Sequence, residues 1–166
     1  MKKLMIFILA ALTTMTLTAC GGSGNTEEPV DADLQGLYDA LAEEFQWEEG
    51  YLVDIEGEML ESYYPGLGEI NTKQLIAKMP MMSSVVNEIV FLQCETEEDA
   101  AKAAEILQNR IDYQVGDENN PGGAWYPESI ESWKKGQVIQ QGTYVAMIAS
   151  AEYQDVIVEH FNALFA

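Results

Sequence analysis

The sequence predicts an α+β domain: two strand-strand-helix units forming a mostly antiparallel four-stranded sheet with helices packed on one face, preceded by an N-terminal amphipathic helix. Three observations predict it. Apolar residues recur at helical spacing of three and four in three separate segments. Four short strand-like runs, two of them apolar on both faces, come as two closely spaced pairs. The order strand-strand-helix occurs twice, near 72–115 and 137–165, as a repeat of pattern rather than of residue identity.

The chain opens with MKKLMIFILAALTTMTLTAC. Lys2 and Lys3 precede an apolar run from Leu4 to Leu12. That run is far shorter than the roughly 20 residues that span a bilayer, so residues 1–19 read as a secretory signal peptide. Leu17-Thr18-Ala19 puts small and β-branched residues before Cys20, the pattern of a lipobox. A diacylglyceryl group on the Cys20 thiol is therefore expected, and cleavage frees the Cys20 amine for a further fatty acyl chain such as palmitate. Two acyl chains anchor stably where one does so marginally, which places the protein on the extracytoplasmic face of the cell membrane. Gly21 stands where some two-membrane bacteria use an aspartate retention signal. Residues 20–32, rich in Gly, Ser, Pro and acid, read as the lipidated cysteine and a flexible tether. A single domain over 33–166 follows.

Leu34, Leu37, Tyr38, Leu41 and Phe45 define one helix face, with Asp31 or Asp33 as cap and Gly50 beyond the end. Residues 54–63 read as a weaker helical piece, and Tyr64-Pro65-Gly66 turns the chain. Residues 72–80 form a strand ending at Pro80. Residues 87–94 (NEIVFLQC) form a second, apolar on both faces and so central. Thr96-Glu97-Glu98-Asp99 opens a helix in the manner of a capping box. Ala100, Ala103, Ala104, Leu107 and Ile111 line its face, and Gly116 ends it. Residues 116–124 form a loop and 127–134 a short helix containing Trp133. A second strand pair, 137–141 and 143–150, turns at Gly142. Tyr153, Ile157, Phe161 and Leu164 mark the last helix.

The chain has 28 acidic residues against 8 basic and a formal charge of −20; removal of Lys2 and Lys3 makes it more acidic still. That excludes nucleic acid as partner, because such binding needs clustered Lys and Arg. Acid of this amount serves solubility, with a cationic partner as the functional alternative. With Cys20 carrying lipid, Cys94 is left alone, so no internal disulfide is expected. Cys94 lies in an apolar run away from the lone His160 and reads as a core thiol.

Catalytic signals are weak. No G-x-S-x-G, H-E-x-x-H or Cys-His pattern occurs, and His160 sits in the last turns of a helix, where the dipole favours an imidazolium. Paired carboxylates are the remaining catalytic option, and no cofactor is implied. Transition metals want His and Cys clusters. The acids at 95–99 and 117–120 lack the order of an EF-hand loop. No metal site is expected.

The better candidates are aromatic. Tyr63, Tyr64, Trp125, Tyr126 and Trp133 fall in the segments between strands, and both Tyr-Pro pairs fix the backbone beside them. Met81 and Met82 follow the first strand. Aromatics on a rigid scaffold stack on sugars or anchor a peptide; alternatively they cover the open end of the sheet.

Met79-Pro80-Met81-Met82 followed by Asn87-Glu88-Ile89 resembles a family of small Gram-positive lipoproteins grouped as domain of unknown function 4358. Tyr64-Gly66, Ala103 to Arg110, Tyr126-Pro127 and Gly142-Thr143-Tyr144-Val145 extend the resemblance over about 54–166. It implies a lipid-anchored protein of a Gram-positive bacterium and implies no activity. The expectation is a non-catalytic binding or interaction domain at the cell envelope, engaging an envelope protein, a peptide or a glycan. The alternative is an envelope enzyme or enzyme subunit that uses paired carboxylates.

Overall fold

The strands Asn87–Cys94 and Tyr144–Ser150 are buried from end to end. A strand apolar on both faces needs cover on both, and this requirement sets the architecture. The computed structural model describes residues 31–166, and Asp31–Ala166 forms one compact unit. The expected signal peptide, the expected lipidation site Cys20 and the expected tether as far as residue 30 lie outside the described residues.

In chain order the elements are α1 (Leu34–Glu44), β1 (Leu52–Asp54), α2 (Glu58–Tyr63), a 3-10 turn (Leu67–Glu69), β2 (Thr72–Pro80), β3 (Asn87–Cys94), α3 (Glu97–Val115), α4 (Pro127–Trp133), β4 (Gln137–Gln141), β5 (Tyr144–Ser150) and α5 (Gln154–Ala163). The sheet order is β1-β2-β3-β5-β4, with every pairing antiparallel. The expected hairpins, β2–β3 and β4–β5, are both present and join through β3 and β5.

Two expectations are corrected. The sheet has five strands, not four: β1 lies outside β2, with Leu52 opposite Pro80 and Asp54 opposite Lys78. Three residues are too few to show a period, so β1 leaves no pattern to read. It is held by position: Leu52 is buried, and Lys78 Nζ lies 2.7 Å from Asp54 Oδ1. The helices also cover both faces rather than one. Alternate residues of a strand point to opposite sides. Val90, Leu92, Cys94, Val145 and Met147 pack with Ala103 and Leu107 of α3. Ile89, Phe91, Ala146 and Ile148 pack instead with Leu34 and Leu41 of α1 and with Ile157 and Phe161 of α5. Each fully buried aliphatic or Phe side chain in these layers contributes about 1.5–3 kcal/mol.

Local signals begin and end the helices as the sequence predicts. Asp33 Oδ1 accepts from Gly36 N at 2.9 Å, and Thr96 Oγ1 accepts from Asp99 N at 3.1 Å. Such caps contribute about 1 kcal/mol each. Gly116 ends α3 with φ 67°, in the region glycine favours. His160 Nε2 lies 3.0 Å from Glu44 Oε2 and ties α5 to α1.

Candidate functional site

One end of the sheet, on the α3 side, is bordered by parts that the sequence separates widely. α2 brings Tyr63, and the connection from β2 to β3 brings Met82, Ser83 and Val85. The second half of α3 brings Ile106, Asn109, Arg110, Tyr113 and Gln114. The approach to α4 brings Trp125 and Tyr126, and α4 itself brings Trp133. Together they enclose an open cleft of about 810 Å³.

Its floor is a buried ion pair. Arg110 Nε donates to Glu88 Oε1 at 2.8 Å and Arg110 Nη2 to Glu88 Oε2 at 2.9 Å. Tyr64 Oη donates to the same Glu88 Oε1 at 2.6 Å. Both carboxylate oxygens are therefore engaged, two of the contacts by a guanidinium fork. The Arg110 guanidinium also lies 4.5 Å from the Tyr63 ring centre and 5.4 Å from that of Trp133, in range for cation–π attraction. Burial works against the Arg110 charge, but the hydrogen bonds and charge of Glu88 outweigh it and raise its pKa. Burial, followed by the Glu88 charge, pushes the Tyr64 hydroxyl well above its usual range and keeps it a donor.

Asn87 begins β3 beside this pair. It is buried, and neither its Oδ1 nor its Nδ2 is hydrogen-bonded to a described residue. It borders the large cleft and also a smaller one of about 210 Å³, which contains Tyr51, Ser129, Ser150 and Tyr153.

The wall carrying Trp125 is fixed by backbone. Gly123 N donates to Tyr113 O at 2.9 Å and Ala124 N to Gln114 O at 3.1 Å, which fastens the segment to the end of α3. The preceding acidic loop folds on itself: Asp117 Oδ1 accepts from Asn119 N and Asn120 N at 2.7 and 2.8 Å. Those bonds, the Asn119 one first, lower the Asp117 pKa. The Asp117 carboxylate thus serves its own turn. In the earlier acidic stretch, Glu97, Glu98 and Asp99 occupy the first turn of α3.

The seven predicted surface residues divide. Tyr63, Met82, Trp125, Tyr126 and Trp133 all line the cleft. Trp125 is 89 % exposed and forms its rim, whereas Trp133 is 5 % exposed and forms part of its wall. Tyr64 is fully buried and supports the floor. Met81, 78 % exposed, stands outside the lining. Glu88 and Arg110 appeared in the sequence reading within motifs and not as site residues, yet a signal existed. Glu88 interrupts an apolar central strand, and Arg110 sits among the inward residues of α3 beside Ile111. Buried charges must pair.

Elsewhere, Cys94 is buried and its thiol is pushed up to about 11, first by burial and then by the charge of Asp99. Among the described residues no group of three or more His, Cys, Asp or Glu is placed to hold a metal ion. Among them, too, no helix is long and apolar enough to cross a membrane.

These features define a small α+β domain whose five-stranded antiparallel sheet carries an aromatic cleft over a buried ion pair. The chain belongs to the family described as "Domain of unknown function (DUF4358)", whose profile matches residues 46–150. The match begins after α1 and ends with β5, so it spans the whole sheet and the cleft. No curated protein and no solved structure matches the chain.

Proposed function

We propose that this protein is a non-catalytic binding domain of a Gram-positive cell envelope, held to the outer face of the cell membrane by lipid on Cys20, with the cleft as its binding site. One observation carries the reading. Five residues from four separate segments converge on a single cleft, and among the described residues its lining contains just one carboxylate and one cation, closed on each other. Paired-carboxylate catalysis needs two acids facing a substrate. Glu88 is the one acid there, and its oxygens are taken by Arg110 and Tyr64. Cys94 and His160 are not among the lining residues.

Two measurements test this. Fractionation of cells should place the native chain in the membrane and a mature Cys20→Ser chain, freed of residues 1–19, in the soluble fraction; an unchanged membrane fraction for the mature variant sinks the anchor. The Cys20→Ser chain, used as bait on solubilised membranes and wall fragments, should retain a component that Trp125→Ala and Tyr126→Ala variants lose. Retention that ignores both substitutions removes the cleft from the proposal.

A further inference from the structure

We propose that the ligand of the cleft is a neutral, hydroxyl-rich chain, an uncharged oligosaccharide; this rests on the cleft being the binding site. The first argument is charge. In a protein with 28 acidic and 8 basic residues, a cleft of about 810 Å³ has, among the described residues, a single ion pair in its lining, buried and internally satisfied. A charged ligand would find no free counter-charge there.

The second argument is the lining itself. Tyr63, Tyr113, Trp125 and Tyr126 offer flat rings for the C–H faces of sugar rings. The side chains of Ser83, Asn109 and Gln114 lie among them and make no hydrogen bond to a described residue. Amides and hydroxyls of this kind both donate and accept, as paired sugar hydroxyls require. The volume lies within the roughly 300–1,000 Å³ of small-ligand sites and leaves room for several rings.

The third argument is against a peptide strand. Such a ligand commonly adds to a free sheet edge. Here the two edge strands, β1 and β4, contribute no residue to the lining, and the strand residues that border the cleft, Met79, Pro80, Asn87 and Glu88, belong to the inner strands β2 and β3.

The test is titration of the Cys20→Ser chain with short oligomers of glucose, xylose and N-acetylglucosamine, followed by calorimetry and tryptophan fluorescence. An oligogalacturonate serves as the charged comparison. At least one neutral oligomer should bind and the charged one should not. Trp125→Ala should weaken binding about tenfold, Asn109→Ala several-fold, and Trp47→Phe, on the opposite face of the sheet, not at all. Absence of binding by every neutral oligomer, or binding unaffected by Trp125→Ala, overturns the inference. If capture from envelope fractions still depends on Trp125 in that case, the binding-site reading survives and the sugar alone is rejected. If that capture is lost too, the cleft reading fails with it.

Discussion

Arg110 of α3 grips Glu88 of β3 through two hydrogen bonds of 2.8 and 2.9 Å, and both side chains are more than nine-tenths buried. The pair joins the long helix to the central strand at the base of the cleft. It closes the charge of the floor on itself, so under the proposed function recognition falls to the rim.

Removing one partner should therefore unfold more than it frees. Arg110→Met strands a buried carboxylate, and Glu88→Gln strands a buried guanidinium. Each should lower stability by about 3–5 kcal/mol, while the double variant should lose clearly less than the sum. Urea denaturation of the four chains measures this. Additive losses, or a single loss below about 1 kcal/mol, would contradict a buried, coupled pair.

The Tyr64 hydroxyl gives a test in alkali. Unfolded, it ionises near 10.0; folded, burial and the Glu88 charge hold its proton well above that. The unfolded state thus gives up the proton first. This contribution is complete below pH 10 and declines as pH rises beyond it. Cys94 acts with the same sign from 9.0 to about 11. In a Cys94→Ala background, denaturation midpoints should fall above pH 10, and Tyr64→Phe should flatten that fall. An unchanged slope would place the Tyr64 proton outside the folding equilibrium.

Much of this fold was legible because its elements carry strong local signals. The helix faces of α1, α3 and α5, the caps Asp33 and Thr96 and both hairpins follow from period and turn chemistry. β1 was not legible, since three residues define no period. The second helical layer was legible in principle: NEIVFLQC and YVAMIAS are apolar on both faces, which already demands two layers. The site was half legible. Composition marked the loop aromatics, but Tyr64 lies buried beneath the floor and Trp133 in the buried part of the wall. The Glu88–Arg110 contact spans 22 residues and belongs to tertiary packing, which no local window contains.

Cys94 should behave as a core group. The thiolate is the reactive form, and here the thiol is both buried and raised to about 11. In a Cys20→Ser chain at about pH 8, a thiol reagent should label Cys94 only as denaturant unfolds the domain. Rapid labelling of the native protein would show an accessible, activated thiol and reopen the catalytic alternative.

Gly116 links the cleft wall to backbone geometry. It has φ 67°, and a Cβ there would lie 2.2 Å from Gly122 N and 2.6 Å from Asn120 O. Gly116→Ala should therefore lower stability by about 1–3 kcal/mol and displace the segment that carries Trp125. Thermal denaturation reads the first effect, and the Trp125 fluorescence maximum in a Trp47→Phe/Trp133→Phe background reads the second. A variant with native values of both would show that the wall tolerates a different turn.

Trp125 and Trp133 share one cleft but should respond oppositely to truncation. Trp133 is 5 % exposed and packs with Ile111 and Ala149 in the core cluster on the α3 side. Removing its ring leaves a cavity and takes one ring from beside Arg110, so Trp133→Ala should cost about 3–5 kcal/mol. Trp125 is 89 % exposed, and Trp125→Ala should stay within about 0.5 kcal/mol of the parent. Loss of binding in the Trp125 variant at full stability is then attributable to the missing contact, whereas loss in the Trp133 variant is not. Denaturation curves for both must come before any binding comparison. A destabilised Trp125→Ala would mean that the rim residue, too, holds the fold.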